Sequence, residues 1–287
     1  SRRAGRTVRE LVLESGHRVE LGFLAIASVL AFAIPVSGQI PLVLGVALIG
    51  LFGFYLWRVS RAEAEQPTLV GPAAGIGALP TRKRRLLVGA LFGFAAAVVL
   101  AAAKPFADSL VATGADLGVD EFLLVQWVAP LASESPEFIV AILFAWHCRG
   151  ADALGTLISS KVNQWTLLVG SLPVAYLLGG GGTALALDAR QVEEFLLTAA
   201  QTVLGVAALL ALRFPRRLAY ALLGLFALQF AFPGQEARYA LCLAYAVLAV
   251  VALIRNRHHL VATLAAPFRT PRSERQPEKQ PIALRRS

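Results

Sequence analysis

Residues 130–140, PLASESPEFIV, place two glutamates and two prolines inside the longest apolar run of the chain, residues 119–147. A charge at the centre of a bilayer costs several kcal/mol, and a proline inside a helix removes a backbone hydrogen bond. The carbonyls left unpaired by Pro130 and Pro136 are tolerated at membrane depth where they line a cavity or bind a cation. The sequence therefore predicts a helix that is broken at a functional site.

The side chains around this break supply oxygen atoms. Ser133 and Ser135 contribute hydroxyl groups, and Glu134 and Glu137 contribute carboxylates. Hard cations such as calcium bind this mixture of oxygens, so Glu137 and Glu134 are the predicted metal ligands. The alternative is a kinked helix whose glutamates form ion pairs or reach the membrane surface.

The composition indicates a membrane protein. Of the 287 residues, 57% are hydrophobic and 16% are charged, with a mean hydropathy of +0.65. The net charge of +9 does not indicate a nucleic-acid partner, because the arginines cluster at the ends of apolar runs. Two cysteines are too few for a disulfide framework, and no nucleophile–base pair suggests an enzyme. The predicted partners are the lipid bilayer and inorganic cations, and no cofactor is predicted other than bound ions.

The predicted fold class is all-α, a polytopic membrane helix bundle of about eight transmembrane helices. The linker 59–85 is rich in proline and glycine and ends in four consecutive bases. The tail 255–287 is basic and predicted to be disordered. The spans are expected at roughly 20–36, 40–57, 86–104, 119–147, 154–178, 191–212, 217–231 and 236–254.

The basic clusters predict the orientation in the membrane. The N-terminus, the linker 59–85, the turn 148–153, residues 213–217 and the C-terminal tail are rich in arginine, and this side should be cytoplasmic. Both ends of the chain are therefore placed in the cytoplasm, in a multi-pass protein of the cell membrane.

A second polar segment follows the broken helix. Residues 155–164, GTLISSKVNQ, lead into a wholly apolar run. On a helix Ser160 and Gln164 share one face, while Lys161 points about 100° away from it. These side chains could complete the site, or they could form hydrogen bonds that hold neighbouring helices together.

Taken in order, these segments resemble the cation/calcium exchanger superfamily, the sodium/calcium exchanger-type membrane proteins. The second alpha repeat of that family has a Gly-Thr-Ser-x-Pro-Glu element, a short basic loop, and a Gly-Asn-x-x-Gly-Ser-Asn-x-x-Asn/Asp helix. Here ASESPE at 132–137, CRGADAL at 148–154 and GTLISSKVNQ at 155–164 stand in those places. The resemblance is good over about 86–178.

The resemblance implies a role for each matching residue. Glu137 matches the acidic ligand, Ser133 the motif threonine and Glu134 the motif serine. Ser160 matches the serine of the second helix, and Gln164 matches its Asn/Asp. The implied cation site is therefore Ser133, Glu134, Glu137, Ser160 and Gln164.

Two departures from the family pattern concern the coupling ion. Glu134 places a second carboxylate where the family has a hydroxyl, and Lys161 replaces an asparagine. The ammonium group of Lys161 could compensate charge in place of one sodium ion, or it could form a salt bridge that holds two helices together. Sodium and protons both stay open as the exchanged ion.

The resemblance also implies the domain organisation. Residues 1–58 would be the last two helices of a first half, 59–85 the cytoplasmic linker, and 86–254 the second half with its alpha repeat at 119–178. The first alpha repeat is expected in a missing N-terminal half, because the chain begins SRRAGRTVRE without methionine. The implied function is a cation antiporter that works by alternating access at a midplane acidic site. The alternative is a non-transporting membrane protein that keeps this fold for regulation or assembly.

Overall fold

The structure is a computed structural model that describes residues 9–61, 72–118, 128, 131, 133–232 and 234–269. The chain divides into two compact units, and each is described by itself. The larger contains residues 1–62 and 143–287, and the smaller contains 63–142.

Helices account for most of the described residues. In chain order they are α1 (His17–Ala31), α2 (Ala33–Ser37), α3 (Leu42–Ser60), α4 (Pro72–Gly77), α5 (Thr81–Leu117), α6 (Ser135–Trp146), α7 (Gly150–Asn163), α8 (Val169–Leu178), α9 (Ala189–Leu209), α10 (Arg216–Ala231) and α11 (Gln235–Ala265). A π-helical turn, Gln164–Leu168, joins α7 to α8, and a 3₁₀ turn, Ala266–Phe268, follows α11.

Among the described residues, five segments are long and apolar enough to cross a membrane. They are His17–Ser37, Leu42–Ser60, Thr81–Leu117, Ala189–Leu209 and Gln235–Phe268. The predicted all-α membrane fold is confirmed, and the count of eight spans stays a prediction.

Two short β-ribbons define the ends of the larger unit. Strand β1 (Glu10–Val12) pairs antiparallel with β4 (Arg213–Pro215), and β2 (Gln39–Pro41) pairs antiparallel with β3 (Ala184–Ala186). Helix α1 leads from β1 towards β2, whereas α9 leads from β3 to β4, so the two helices run in opposite directions between the same ribbons. At 1.5 Å per residue α9 is about 30 Å long, the thickness of the hydrocarbon core.

The same order of elements occurs twice in this unit. The series β1, α1, β2, α3 is followed later in the chain by β3, α9, β4, α10. Pro41 and Pro215 each end the second strand of a series in extended conformation and stand immediately before a helix. The first strand of each series pairs with the second strand of the other series. The two series are therefore arranged as inverted-topology repeats.

Close approaches between backbones hold the unit together. At Gly45 in α3 an added Cβ would lie 2.5 Å from Cγ of Pro173 and 2.7 Å from the carbonyl oxygen of Gly170, both in α8. At Gly22 in α1 it would lie 2.4 Å from the carbonyl oxygen of Thr263 in α11. Small residues at such contacts are typical of helix packing in membranes.

Charge separates the two ends of the larger unit. Arg58, Arg149 and Arg213 lie at the end that carries the β1–β4 ribbon, which we call the basic end. Asp188 and Glu193 begin α9 next to the β2–β3 ribbon, at the end we call the acidic end. Two arginines, Arg190 and Arg238, also lie at the acidic end.

Several predicted boundaries need correction. Helix α5 begins at Thr81, so the basic run 82–85 lies in its first turns and not in the linker. The tail predicted to be disordered from residue 255 is helical to Ala265. The amide of Asn256 donates to the carbonyl of Ala207 at 3.0 Å and Thr263 is fully buried, and these tertiary contacts order a segment whose composition alone indicates disorder. Residues 270–287 lie outside the described part.

Candidate functional site

The acidic half of the candidate site stands where α6 begins. Ser133 has helical geometry, Glu134 forms a bend, and α6 starts at Ser135. Pro136 therefore occupies the first turn of a helix, where its missing N–H is not needed, and the first bond runs from the Phe138 amide to the Glu134 carbonyl at 3.2 Å. The break predicted in this segment is present at Glu134, but Pro136 begins a helix and does not kink a continuous one. Pro130 lies outside the described residues.

The carboxylate of Glu137 is partly withdrawn from solvent. The residue is half-buried, and its Oε2 atom is buried without a hydrogen-bond partner among the described residues. Buried polar atoms of this kind need an explanation such as a bound ion, a proton or a water molecule. Glu134 is also half-buried, while Ser133 is exposed and engaged in an interaction.

The second half of the candidate site lies on α7. The buried residues Gly155, Ile158 and Val162 mark the side of this helix that packs within the larger unit. By helical geometry Ser160 and Gln164 lie together on the opposite side, and both are half-buried. Their shared face agrees with the sequence prediction, whereas their role as ligands is untested.

A π-helical turn begins at Gln164, and the sequence did not predict it. The hydroxyl of Thr166 donates to the Val162 carbonyl at 2.5 Å, and the indole N–H of Trp165 donates to Thr202 in α9 at 3.0 Å. These bonds hold the wider turn in place, and Pro173 in α8 cannot extend the regular hydrogen-bond ladder. Single π turns are frequent at functional sites, because they rotate side chains and leave carbonyls without helical partners.

Lys161 lies about 100° around α7 from Ser160, as expected, and is half-buried and engaged in an interaction. The carboxylates Glu134 and Glu137 belong to the smaller unit, and Ser160, Lys161 and Gln164 belong to the larger one. Among the described residues no group of three or more His, Cys, Asp or Glu side chains is arranged to hold a metal ion. The two predicted acidic ligands alone do not amount to such a group.

A separate polar cluster, which was not predicted from the sequence, lies in the larger unit. Glu20 on α1 is close to His17 on the same helix and to Tyr55 on α3, whose hydroxyl forms a 2.7 Å hydrogen bond with Ser159 on α7. The sequence feature that could have indicated this cluster is Glu20, an ionisable residue at the start of an apolar run. Such residues within membrane spans are rare and usually functional.

Comparisons with known proteins support the resemblance seen in the motifs. The family model described as sodium/calcium exchanger protein matches residues 87–234, a range that includes α6, α7 and the π turn. The crystal structure of the H+/Ca2+ exchanger CAX is similar with a TM-score of 0.86 and 41% sequence identity, over 91% of this chain. The chain spans 66% of the length of that exchanger. Among curated proteins no sequence matches this one.

Proposed function

Because this chain belongs to the sodium/calcium exchanger protein family, we propose that it forms part of a membrane antiporter that moves calcium or a related cation by alternating access. The observation that carries the proposal is the family match over both candidate half-sites, together with the buried, unbonded oxygen of Glu137. An uncompensated carboxylate inside a multi-pass membrane protein is stable only with a cation or a proton bound.

For the exchanged ion, we favour protons over sodium. A similar solved structure is that of a H+/Ca2+ exchanger, at 41% identity. The ammonium group of Lys161 adds a positive charge to the candidate site, which leaves less need for a bound sodium ion. Sodium is the alternative that the assay below has to exclude.

The roles proposed for the site residues follow the motif. Glu137 and Glu134 neutralise the charge of the cation, Ser133, Ser160 and Gln164 supply neutral oxygens, and Lys161 compensates charge. Carboxylate, hydroxyl and amide oxygens are the ligands that hard cations prefer. The π turn favours this assignment because it begins at Gln164.

Replacement of Glu137 by glutamine tests this function. The substitution keeps the side-chain volume and removes the charge, so calcium uptake into vesicles that contain the full-length protein should fall to background. Glu236, exposed in the first turn of α11, provides the control, since Glu236→Gln should leave uptake unchanged. Uptake at the wild-type rate in Glu137→Gln would refute the assignment.

The same vesicles distinguish the coupling ion. Uptake is measured with an imposed proton gradient and then with an imposed sodium gradient, for the wild type and for Lys161→Asn. If Lys161 compensates charge at the site, the variant should acquire sodium dependence or a changed pH dependence. A lowered melting temperature with unchanged ion dependence would instead make Lys161 a structural salt-bridge residue.

The proposed location is the cell membrane, with the basic end of the larger unit in the cytoplasm. Cysteines introduced at Arg82 and Arg257 should react with a membrane-impermeant thiol reagent only from the cytoplasmic side. A cysteine at Gly181, between α8 and β3, should react only from the outside. Labelling of Arg82 and Gly181 positions from one side would contradict this orientation.

A further inference from the structure

Three helices of the larger unit bring four polar side chains together away from the candidate cation ligands. Tyr55 on α3 is only 5% exposed, and its ring packs edge-on against Phe23 of α1 with centroids 5.3 Å apart. Its hydroxyl forms the 2.7 Å hydrogen bond with Ser159 and also lies close to the Glu20 carboxylate. Glu20 in turn interacts electrostatically with His17, one helical turn earlier.

Two atoms of this cluster are buried and unbonded. Nδ1 of His17 and Oε2 of Glu20 are inaccessible and have no hydrogen-bond partner among the described residues. An imidazole nitrogen and a carboxylate oxygen can each bind a proton, and His17 and Glu20 lie one turn apart on the same face of α1. Binding of a proton would neutralise the Glu20 carboxylate and so remove the cost of keeping its charge partly buried.

The charged side chains on the elements around this cluster either bind other partners or are exposed. Arg18 donates to the Leu210 carbonyl and to Thr263, at 3.2 and 3.0 Å, and Arg58 donates to the carbonyl of Pro267 at 3.3 Å. Asp152 on α7 pairs with Arg149 at 2.6 Å. Glu10 on β1 lies 3.8 Å from Arg213, and Lys161 has an interaction of its own. The basic and imidazole side chains near the end of α11 are exposed: Arg255, Arg257, His258 and His259.

The position of the imidazole depends on a glycine. A Cβ added to Gly155 of α7 would lie 2.2 Å from Nε2 of His17, so the ring rests directly on the α7 backbone. This contact fixes His17 beside the same helix that carries Ser159 and, one residue later, Ser160 of the candidate cation site. The cluster is therefore linked to that site through α7.

We propose that His17 and Glu20 form a proton-binding pair, distinct from the cation ligands, and that Tyr55 and Ser159 connect this pair to the cation-binding helix α7. One proton is held by the two side chains, taken up from or released to the basic end of the unit, and no other bond is made or broken. The inference rests on the proposed exchanger function for its role in transport, but not for the binding of the proton.

Proton binding is measured directly on the purified full chain in detergent, by infrared titration of the carboxyl stretching band. Glu20→Gln should remove the signal of one protonating carboxyl per chain. His17→Gln should move the midpoint of the remaining Glu20 signal by about one pH unit, the size of effect that a neighbouring titrating group has. If the carboxyl titration of Glu20→Gln is identical to that of the wild type, the proposal is wrong.

A glycine substitution gives a second variant that keeps every titratable group. Gly155→Ala should displace the imidazole and move the same midpoint, whereas Gly205→Ala in α9, with nothing within 4 Å of the added Cβ, should not. If Glu20→Gln does not fold, Gly155→Ala decides the question. An unchanged midpoint in that variant, with His17 and Glu20 intact, would also overturn the proposal.

Transport then tests the link to exchange. In vesicles, Glu20→Gln should change the pH dependence of calcium uptake while leaving the calcium affinity at alkaline pH as in the wild type. Glu137→Gln should instead lose uptake at every pH. If the wild type shows no proton-driven uptake, proton exchange fails as the function, and the infrared titration still decides whether the pair binds a proton. Unchanged pH dependence of uptake in Glu20→Gln would overturn the link to α7.

Discussion

Glutamates that are partly or wholly buried lie at both ends of the larger unit, and the two ends differ in the basic side chain beside them. At the acidic end, Arg238 of α11 contacts Glu194 of α9, and its Nε lies 4.0 Å from Glu193 Oε1. At the basic end, Glu20 of α1 has His17 as its neighbour. Glu20 and Glu193 both follow a valine near the start of α1 and α9, the corresponding helices of the two inverted series.

The two clusters differ in their basic side chain, which carries a permanent charge in Arg238 and a reversible one in a histidine such as His17. Arginine keeps its proton under all physiological conditions, whereas histidine gains and loses a proton in the physiological range. An arginine between two carboxylates therefore holds two helices in one arrangement. The pairing of a histidine with a single carboxylate is the one for which we propose proton binding. A glutamate paired with arginine therefore stabilises the fold, whereas the one beside histidine is proposed to respond to protons.

The largest effect should come from removing the permanent charge. Arg238→Met leaves Glu193 and Glu194 partly or wholly buried without their cation, and we expect a loss of about 3–5 kcal/mol in the free energy of unfolding. Denaturant titration of the purified protein in detergent measures this loss. Arg217→Met, an exposed position on α10, is the control and should leave the unfolding curve unchanged. Equal stability of Arg238→Met and wild type would show that the acidic cluster has no structural role.

The next largest effect is a difference in stability between the Glu193→Gln and Glu20→Gln variants. Glu193→Gln removes one partner of Arg238 and should cost about 1–3 kcal/mol. Among the described residues no lysine or arginine forms an ion pair with Glu20, so the free energy of unfolding of Glu20→Gln should stay within about 1 kcal/mol of the wild type or exceed it. The two variants are compared in the same denaturant titration. A loss in Glu20→Gln as large as in Arg238→Met would make both clusters structural and end the contrast.

The smallest effect concerns two buried tyrosine hydroxyl groups. Tyr55→Phe removes the hydroxyl that bonds Ser159 and should cost about 0.5–1.5 kcal/mol. Tyr245 on α11 is also buried, but Gln201 approaches its hydroxyl without reaching hydrogen-bond geometry. Tyr245→Phe should therefore cost less than Tyr55→Phe in thermal melts. The reverse order would mean that the two hydroxyl groups have been assigned wrongly.

The membrane fold could be predicted from the sequence because apolar length is itself the physical requirement for crossing a bilayer. The shared face of Ser160 and Gln164 was equally predictable, since helical geometry sets it locally. The break at Glu134 followed from the proline and the charges around it. The family motifs identified the same two segments as the functional ones, and the family match over 87–234 agrees with them.

The remaining features depend on contacts between distant parts of the chain. The π turn at Gln164 is held by Trp165 and by Thr202, 37 residues further on, and no local pattern indicates such a bond. Strands of three residues are too short to show an alternating pattern, so the ribbons were not predicted. Glu20 is the first residue of the predicted span 20–36 and received no role there, because only the packing of α3 and α7 against α1 reveals its cluster.

The contact between α1 and the segment just before β4 affects the order in which the protein assembles. Arg18 donates to the carbonyl of Leu210, a residue 192 positions later in the chain. A ribosome adds about 5–20 residues per second, so α1 waits roughly 10–40 s after its synthesis before these partners exist. During that time its buried face, with His17 and Glu20, has to be shielded by lipid or by the insertion machinery. Helix α1 is therefore made well before the residues that complete its packing, and a defect near residue 210 would first become evident as an unprotected α1.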